Sequence, residues 1–169
     1  MRTRLLSGIV SAMLAAGVMA VSVVPANAET AYEARFVKGQ TVVTVDSGAA
    51  FALRFFKVEL DTLRPATAAA PAYTFPVFGY PHDGTTELAG GFKFTANDKC
   101  FFAYAPVVNT RTGVVKAWVN GGERIDLFKI DGAKLVLTEA GAKGLNDALG
   151  FTGLFTAGFL FGTYQTTLN

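Results

Sequence analysis

Cysteine and histidine occur once each in this chain, as Cys100 and His82. A lone cysteine excludes an internal disulfide, so the fold must be held by its core. A Ser-His-Asp triad has only His82 to draw on, and no G-x-S-x-G elbow is present. C-x-x-C, H-E-x-x-H and D-x-D-x-D-G spacings are missing too, which removes the common metal-site patterns. Gly90-Gly91 and Gly121-Gly122 open no helical pattern, so no phosphate-cradling loop is expected. Paired carboxylates for glycoside hydrolysis are spatial and leave no mark in a sequence. These absences lead us to expect a protein that is not an enzyme.

Basic runs are also lacking. Arg2 and Arg4 account for the whole formal charge of +2; the rest of the chain balances its Lys and Arg against its Asp and Glu. No electrostatic footprint for nucleic acid or for a polybasic lipid contact follows from that pattern. Those two arginines precede the apolar run Leu5 to Val24, then Pro25 and the A-x-A triplet Ala26-Asn27-Ala28. This is the pattern of a secretory signal peptide over residues 1–28, removed before Glu29. Its apolar run is long enough to span a bilayer, but the proline and the small residues favour cleavage. The expectation is a secreted or cell-envelope protein, with no transmembrane segment after cleavage and one domain over residues 29–169.

Aromatic residues and turn signals dominate what remains. Thr41–Val45 is β-branched and reads as a strand. Asp46-Ser47 offers a helix N-cap, and Ala49, Ala52, Leu53 and Phe56 fall on one apolar helical face. Leu63 to Pro71 reads as a loop bracketed by prolines. Further strands are predicted at Tyr73–Phe78, Leu88–Thr95, Cys100–Ala105, Val114–Val119, Arg124–Ile130 and Ala133–Leu137. Asn120-Gly121-Gly122 and Asp131-Gly132 supply the positive φ angles of tight hairpins. Thr138 is a second N-cap, before Ala142, Leu145 and Leu149, with Gly150 as the residue that ends the helix. Gly158 to Tyr164 reads as a final, buried strand. Val43–Val58 also echoes Val136–Phe151 without a gap, each a strand followed by a capped helix. The spacing predicts an all-β fold, an antiparallel, β-sandwich-like meander with two short helices. A lipid-facing β-barrel would need sustained outward apolar alternation and long loops, which the short turns disfavour.

Cys100 alternates with Phe102 and Tyr104, so all three are expected on one strand face with the thiol buried and inert. An unpaired cysteine in an exported chain has an intermolecular bridge as its other use. Tyr80, Pro81 and His82 follow Gly79 at an expected turn, where side chains are exposed. Tyrosinate and histidine are both competent axial ligands of haem iron, and a neighbouring histidine can hydrogen-bond a ligand tyrosine. Tyr80 and His82 are therefore the candidate cofactor-binding residues.

Over most of the region after residue 28, the order of motifs resembles the HtaA-type domains of exported bacterial haem-uptake proteins. The matching segments are Phe56-Lys57-Val58, Tyr73-Thr74-Phe75-Pro76-Val77, Gly90-Gly91-Phe92-Lys93-Phe94, Val115-Lys116-Ala117-Trp118-Val119, Leu127-Phe128-Lys129-Ile130, and Leu145 to Gly150. The resemblance implies an exported β-domain that takes haem or a porphyrin, through a tyrosine assisted by a histidine, or else meets an envelope protein. The place of the family's histidine, just before the paired glycines, is held here by Leu88. The resemblance thus also allows a structural or interaction module that has lost its haem ligands.

Overall fold

The computed structural model describes residues 36–168, with side chains from residue 39 onward; the expected signal peptide lies outside the described residues. The elements in order are β1 (Phe36–Val45), α1 (Ser47–Phe55), β2 (Glu59–Leu63), β3 (Thr67–Ala69), β4 (Ala72–His82), β5 (Thr85–Leu88) and β6 (Gly91–Ala96). They continue with β7 (Lys99–Asn109), β8 (Val114–Val119), β9 (Glu123–Asp131), β10 (Lys134–Leu137), α2 (Glu139–Leu149) and β11 (Leu160–Leu168).

All pairings between these strands are antiparallel. The expected all-β fold with two short helices is therefore present, but the sandwich is not. The path β7-β5-β4-β1-β11-β10-β9-β8 returns to β7 through the β7–β8 pairing, giving a closed barrel of 8 strands. Closure pairs both edges of the eight-stranded ring, leaving the outlying β2 and β3 with unpaired edges. It depends on β11 lying between β1 and β10, where Val43 faces Tyr164 on one side and Lys134 faces Thr163 on the other. Strand β7 is long enough to hold two neighbours on one edge, β6 along its first half and β5 along its last three residues. β2 extends the sheet beyond β6, and β3 pairs with β4 inside the segment expected to be a loop.

Period-two alternation sends the apolar set inward. Val43, Val45, Tyr73, Phe75, Val77, Phe101, Ala103 and Phe128 are buried, whereas Thr44, Glu87, Lys116, Lys129 and Thr163 on the barrel strands are exposed. That is the reverse of a lipid-facing barrel. The interior is filled by aromatic rings: Phe161 packs 4.9 Å from Phe128 and 5.5 Å from Phe92, and Phe92 lies 4.8 Å from Phe75. Cys100, Phe102 and Tyr104 do share a face, but it is the outer one, so the thiol is half-buried rather than in the core.

Both helices leave the barrel at one end, because β1 and β10 run in the same sense on either side of β11. Asp46 caps α1 by accepting from the Gly48 N–H, and Thr138 caps α2 by accepting from the Gly141 N–H. The repeated strand-then-helix unit is thus a real structural repeat around β11. α2 covers the barrel end with buried Leu145 and Leu149 and terminates at Gly150 in the left-handed conformation. α1 buries Ala49 and Leu53. Phe56, expected on that apolar face, is instead the C-cap residue and is 44% exposed.

Candidate binding site at the open mouth of the barrel

Two cavities compete for a ligand inside the barrel, and size separates them. The inner one, walled by Thr41, Phe75, Leu88, Phe128 and Tyr164 among others, holds about 20 Å³. That is room for one water molecule at most, and the walls are mainly apolar. The second is an open concavity of about 590 Å³ at the end opposite the helices, within the usual range for small-molecule sites. It is bounded by the Pro81–Thr86 segment, Val108, Thr110, Gly132, Ala133, Tyr164 and Thr166.

The rim is built by turn chemistry and then tied down. Gly79 takes a positive φ, the β4–β5 register shifts between Phe78 and His82, and β4 runs on to His82. The turn expected at Tyr80–His82 therefore falls at Asp83-Gly84, where both residues have positive φ as a two-residue hairpin requires. The Gly84 carbonyl accepts from the Thr110 main-chain N–H at 2.9 Å and from the Thr110 hydroxyl at 3.1 Å. Asn109 donates to the Thr85 hydroxyl, while its carbonyl oxygen accepts from the Arg111 and Thr112 N–H groups. An exposed Arg111–Asp83 ion pair at 3.3 Å completes this link between two turns.

His82 lines this mouth. Its Nδ1 lies 3.3 Å from the Tyr80 carbonyl oxygen. A carbonyl only accepts, so this contact calls for a proton on Nδ1; in the neutral ring the lone pair then sits on Nε2, the tautomer of a histidine metal ligand. Tyr80 is joined to His82 through that carbonyl and not through its phenol; its ring is 86% exposed and lies outside the residues lining the mouth. The tyrosine that does line the mouth is Tyr164, which also walls the inner cavity and so forms the floor between the two. Burial pushes its phenol above the ordinary value of 10.0, which keeps it neutral near pH 7. Two residues further along β11, on the side away from the helices, Thr166 shares a hydroxyl hydrogen bond of 2.8 Å with Thr41.

Tyr164 and Thr166 escaped the sequence reading. The signal was there in the alternation of β11, where Tyr164 and Thr166 turn inward between exposed Thr163, Gln165 and Thr167. Leu88 is 4% exposed against the inner cavity, so its position faces the core and not the mouth.

No protein-family model matches the chain, and no curated protein matches it. Among solved structures, the chain is similar to the crystal structure of the haem-binding protein HtaB from Corynebacterium glutamicum. The two share 12% identity over 79% of this chain and 96% of that one, with a TM-score of 0.50. At that identity the likeness is one of fold: an all-β chain with an HtaB-like architecture.

Proposed function

We propose that this chain is an exported binding module for haem or a related porphyrin, seated at the barrel mouth. The observation that carries the reading is His82, the single histidine, on the rim of a concavity of about 590 Å³ with its Nδ1, not its Nε2, turned to the Tyr80 carbonyl. A neutral imidazole is a competent axial ligand, and the bound group would supply the iron that His82 takes. Tyr164, at the floor, offers a ring face and a phenol to the same ligand, and the fold likeness to a haem-binding protein points the same way. Tyr80 is the alternative tyrosine, two residues from His82 and open to solvent. Export through the 1–28 leader, with a place at the cell envelope or outside it, belongs to this reading.

A second reading, a structural or interaction module without haem, draws on Leu88. The position that the family resemblance assigns to a histidine is apolar and closed off here. Haemin titrated into the chain beginning at Glu29 separates the two. A saturable Soret band, with affinity lowered about tenfold or more by His82→Ala and less by Tyr80→Ala than by Tyr164→Phe, supports haem at the mouth. A flat titration supports the second reading.

A further inference from the structure

Helix α1 carries an apolar face that the fold does not use. Phe51, Phe55 and Phe56 are 59%, 68% and 44% exposed, while the helix packs through Ala49 and Leu53. Phe51 and Phe55 are one turn apart with rings stacked at 6.1 Å; Phe55 meets Phe56 edge-on at 5.0 Å, and Phe56 meets Phe151 at 6.5 Å. Contiguous exposed rings of this kind mark an interaction surface, whereas scattered single residues do not. Two cations neighbour it along the chain. The Arg54 guanidinium lies 6.0 Å from the centre of the Phe51 ring, and Lys57 follows the helix at positive φ. Neither makes an ion pair among the described residues. The acidic groups nearest in sequence are Asp46, engaged at the other end of the helix, and Glu59 in β2.

We propose that this face docks on an anionic lipid surface, with the three rings entering the headgroup boundary and Arg54 and Lys57 meeting lipid phosphates. An amphipathic helix that pairs phenylalanine with basic residues is the chemistry of interfacial binding. Two other occupants fit less well. A second copy across a twofold axis would set this patch, whose charges are both basic, against the same patch with no acidic group to meet them. The exposed rings also offer roughly 340 Å² at about 200 Å² per phenylalanine, against the ~800 Å² per partner of a stable interface. The chain's own amino terminus is too short in a protein starting at Glu29. Seven residues precede β1 and span at most about 25 Å. They enter at the far end of a ten-residue strand, which is itself about 33 Å long.

The test is co-sedimentation with phosphatidylcholine vesicles, with and without phosphatidylglycerol. The chain beginning at Glu29 is used because it keeps the whole barrel and its core and omits Leu5–Val24, an apolar run that partitions into lipid by itself. Binding is expected on the phosphatidylglycerol vesicles and weaker on phosphatidylcholine alone. Phe51→Ser with Phe55→Ser should lower partition by roughly tenfold per ring. Arg54→Gln with Lys57→Gln should lower it roughly fivefold per charge on anionic vesicles only. All four positions are on the surface, and unchanged circular dichroism and Tm check that the variants fold. The proposal is overturned by wild-type protein that stays in the supernatant, by equal binding to both vesicle types, or by undiminished binding of the phenylalanine variant. It is equally overturned by a concentration-dependent dimer in sedimentation velocity that the phenylalanine variant loses, which assigns the face to a second copy. Failure of haem binding at the mouth leaves every one of these readouts unchanged.

Discussion

The hydroxyls of Thr41 and Thr166 meet at 2.8 Å between β1 and β11, and Thr41 is wholly buried while Thr166 is only partly so. The pair is unequal, and the inequality gives a sharp expectation. Thr166→Val leaves a buried hydroxyl without its partner and should destabilise the barrel by about 1–3 kcal/mol. Adding Thr41→Val removes that orphaned group and should recover most of the loss. Urea unfolding of the two single variants and the double variant measures this; equal destabilisation by each single change would show that the hydrogen bond does not decide it.

The repeat around β11 predicts different outcomes at matched glycines. A Cβ at Gly141 would stand 2.3 Å from the Leu127 carbonyl oxygen, whereas one at Gly48 would meet only the Asp46 carboxylate at 3.1 Å. Gly141→Ala must therefore push α2 off β9 and should cost about 1–3 kcal/mol. Gly48→Ala asks the capping Asp46 carboxylate to give by only a few tenths of an ångström, short of losing its bond to the residue 48 N–H, and it gains helix propensity, so its change should stay within about 0.5 kcal/mol. Thermal unfolding of both variants compares them directly.

At the rim, a neutral network should outweigh a visible ion pair. Asn109→Ala removes one donated and two accepted hydrogen bonds and should lower stability by about 1–2 kcal/mol. Asp83→Asn breaks the exposed pair with Arg111, keeps a residue tolerant of positive φ, and should change stability by less than about 0.5 kcal/mol. A larger loss in Asp83→Asn than in Asn109→Ala in a denaturant titration would contradict this ordering.

Tyr164 sets an alkaline limit. Burial raises its phenol above 10.0, and Tyr73 is raised as well, by burial first and Asp61 second. A raised folded value means that the unfolded chain gives up the proton first. The contribution is complete below about pH 10 and is lost as pH rises from there through the folded value. Tm should fall over that window in the wild type and fall less in Tyr164→Phe. Identical alkaline profiles would show that Tyr164 does not titrate late.

Local features of this fold were legible where one short segment carried its own reason. β8 matches the expected strand residue for residue, Thr138 and Gly150 bound α2 as expected, and Gly132 turns the β9–β10 hairpin at positive φ, although its partner in the turn is Ala133 while the expected Asp131 stays in β9. β2 and β5 lie in Glu-Leu-Asp-Thr-Leu and Thr-Thr-Glu-Leu, whose weak apolar alternation signals little. The barrel itself rests on pairings such as Val43 with Tyr164, far apart in sequence, about which a local period is silent. His82 stood out because it is the only histidine. Tyr164 did not, since its position at the mouth follows from closure of the ring.

The placement of α1 at one end and the mouth at the other has a consequence for presentation. β1 joins them, with Val45 leading into the helix and Thr41 bonded to Thr166 of the mouth lining. Its ten residues run about 33 Å along the strand, a shorter distance along the barrel axis because barrel strands tilt. A molecule held on lipid through Phe51 and Phe55 would carry its cup at the other end of the barrel from that contact. The anchored molecule would then be loaded and emptied from the aqueous side, with its footing undisturbed.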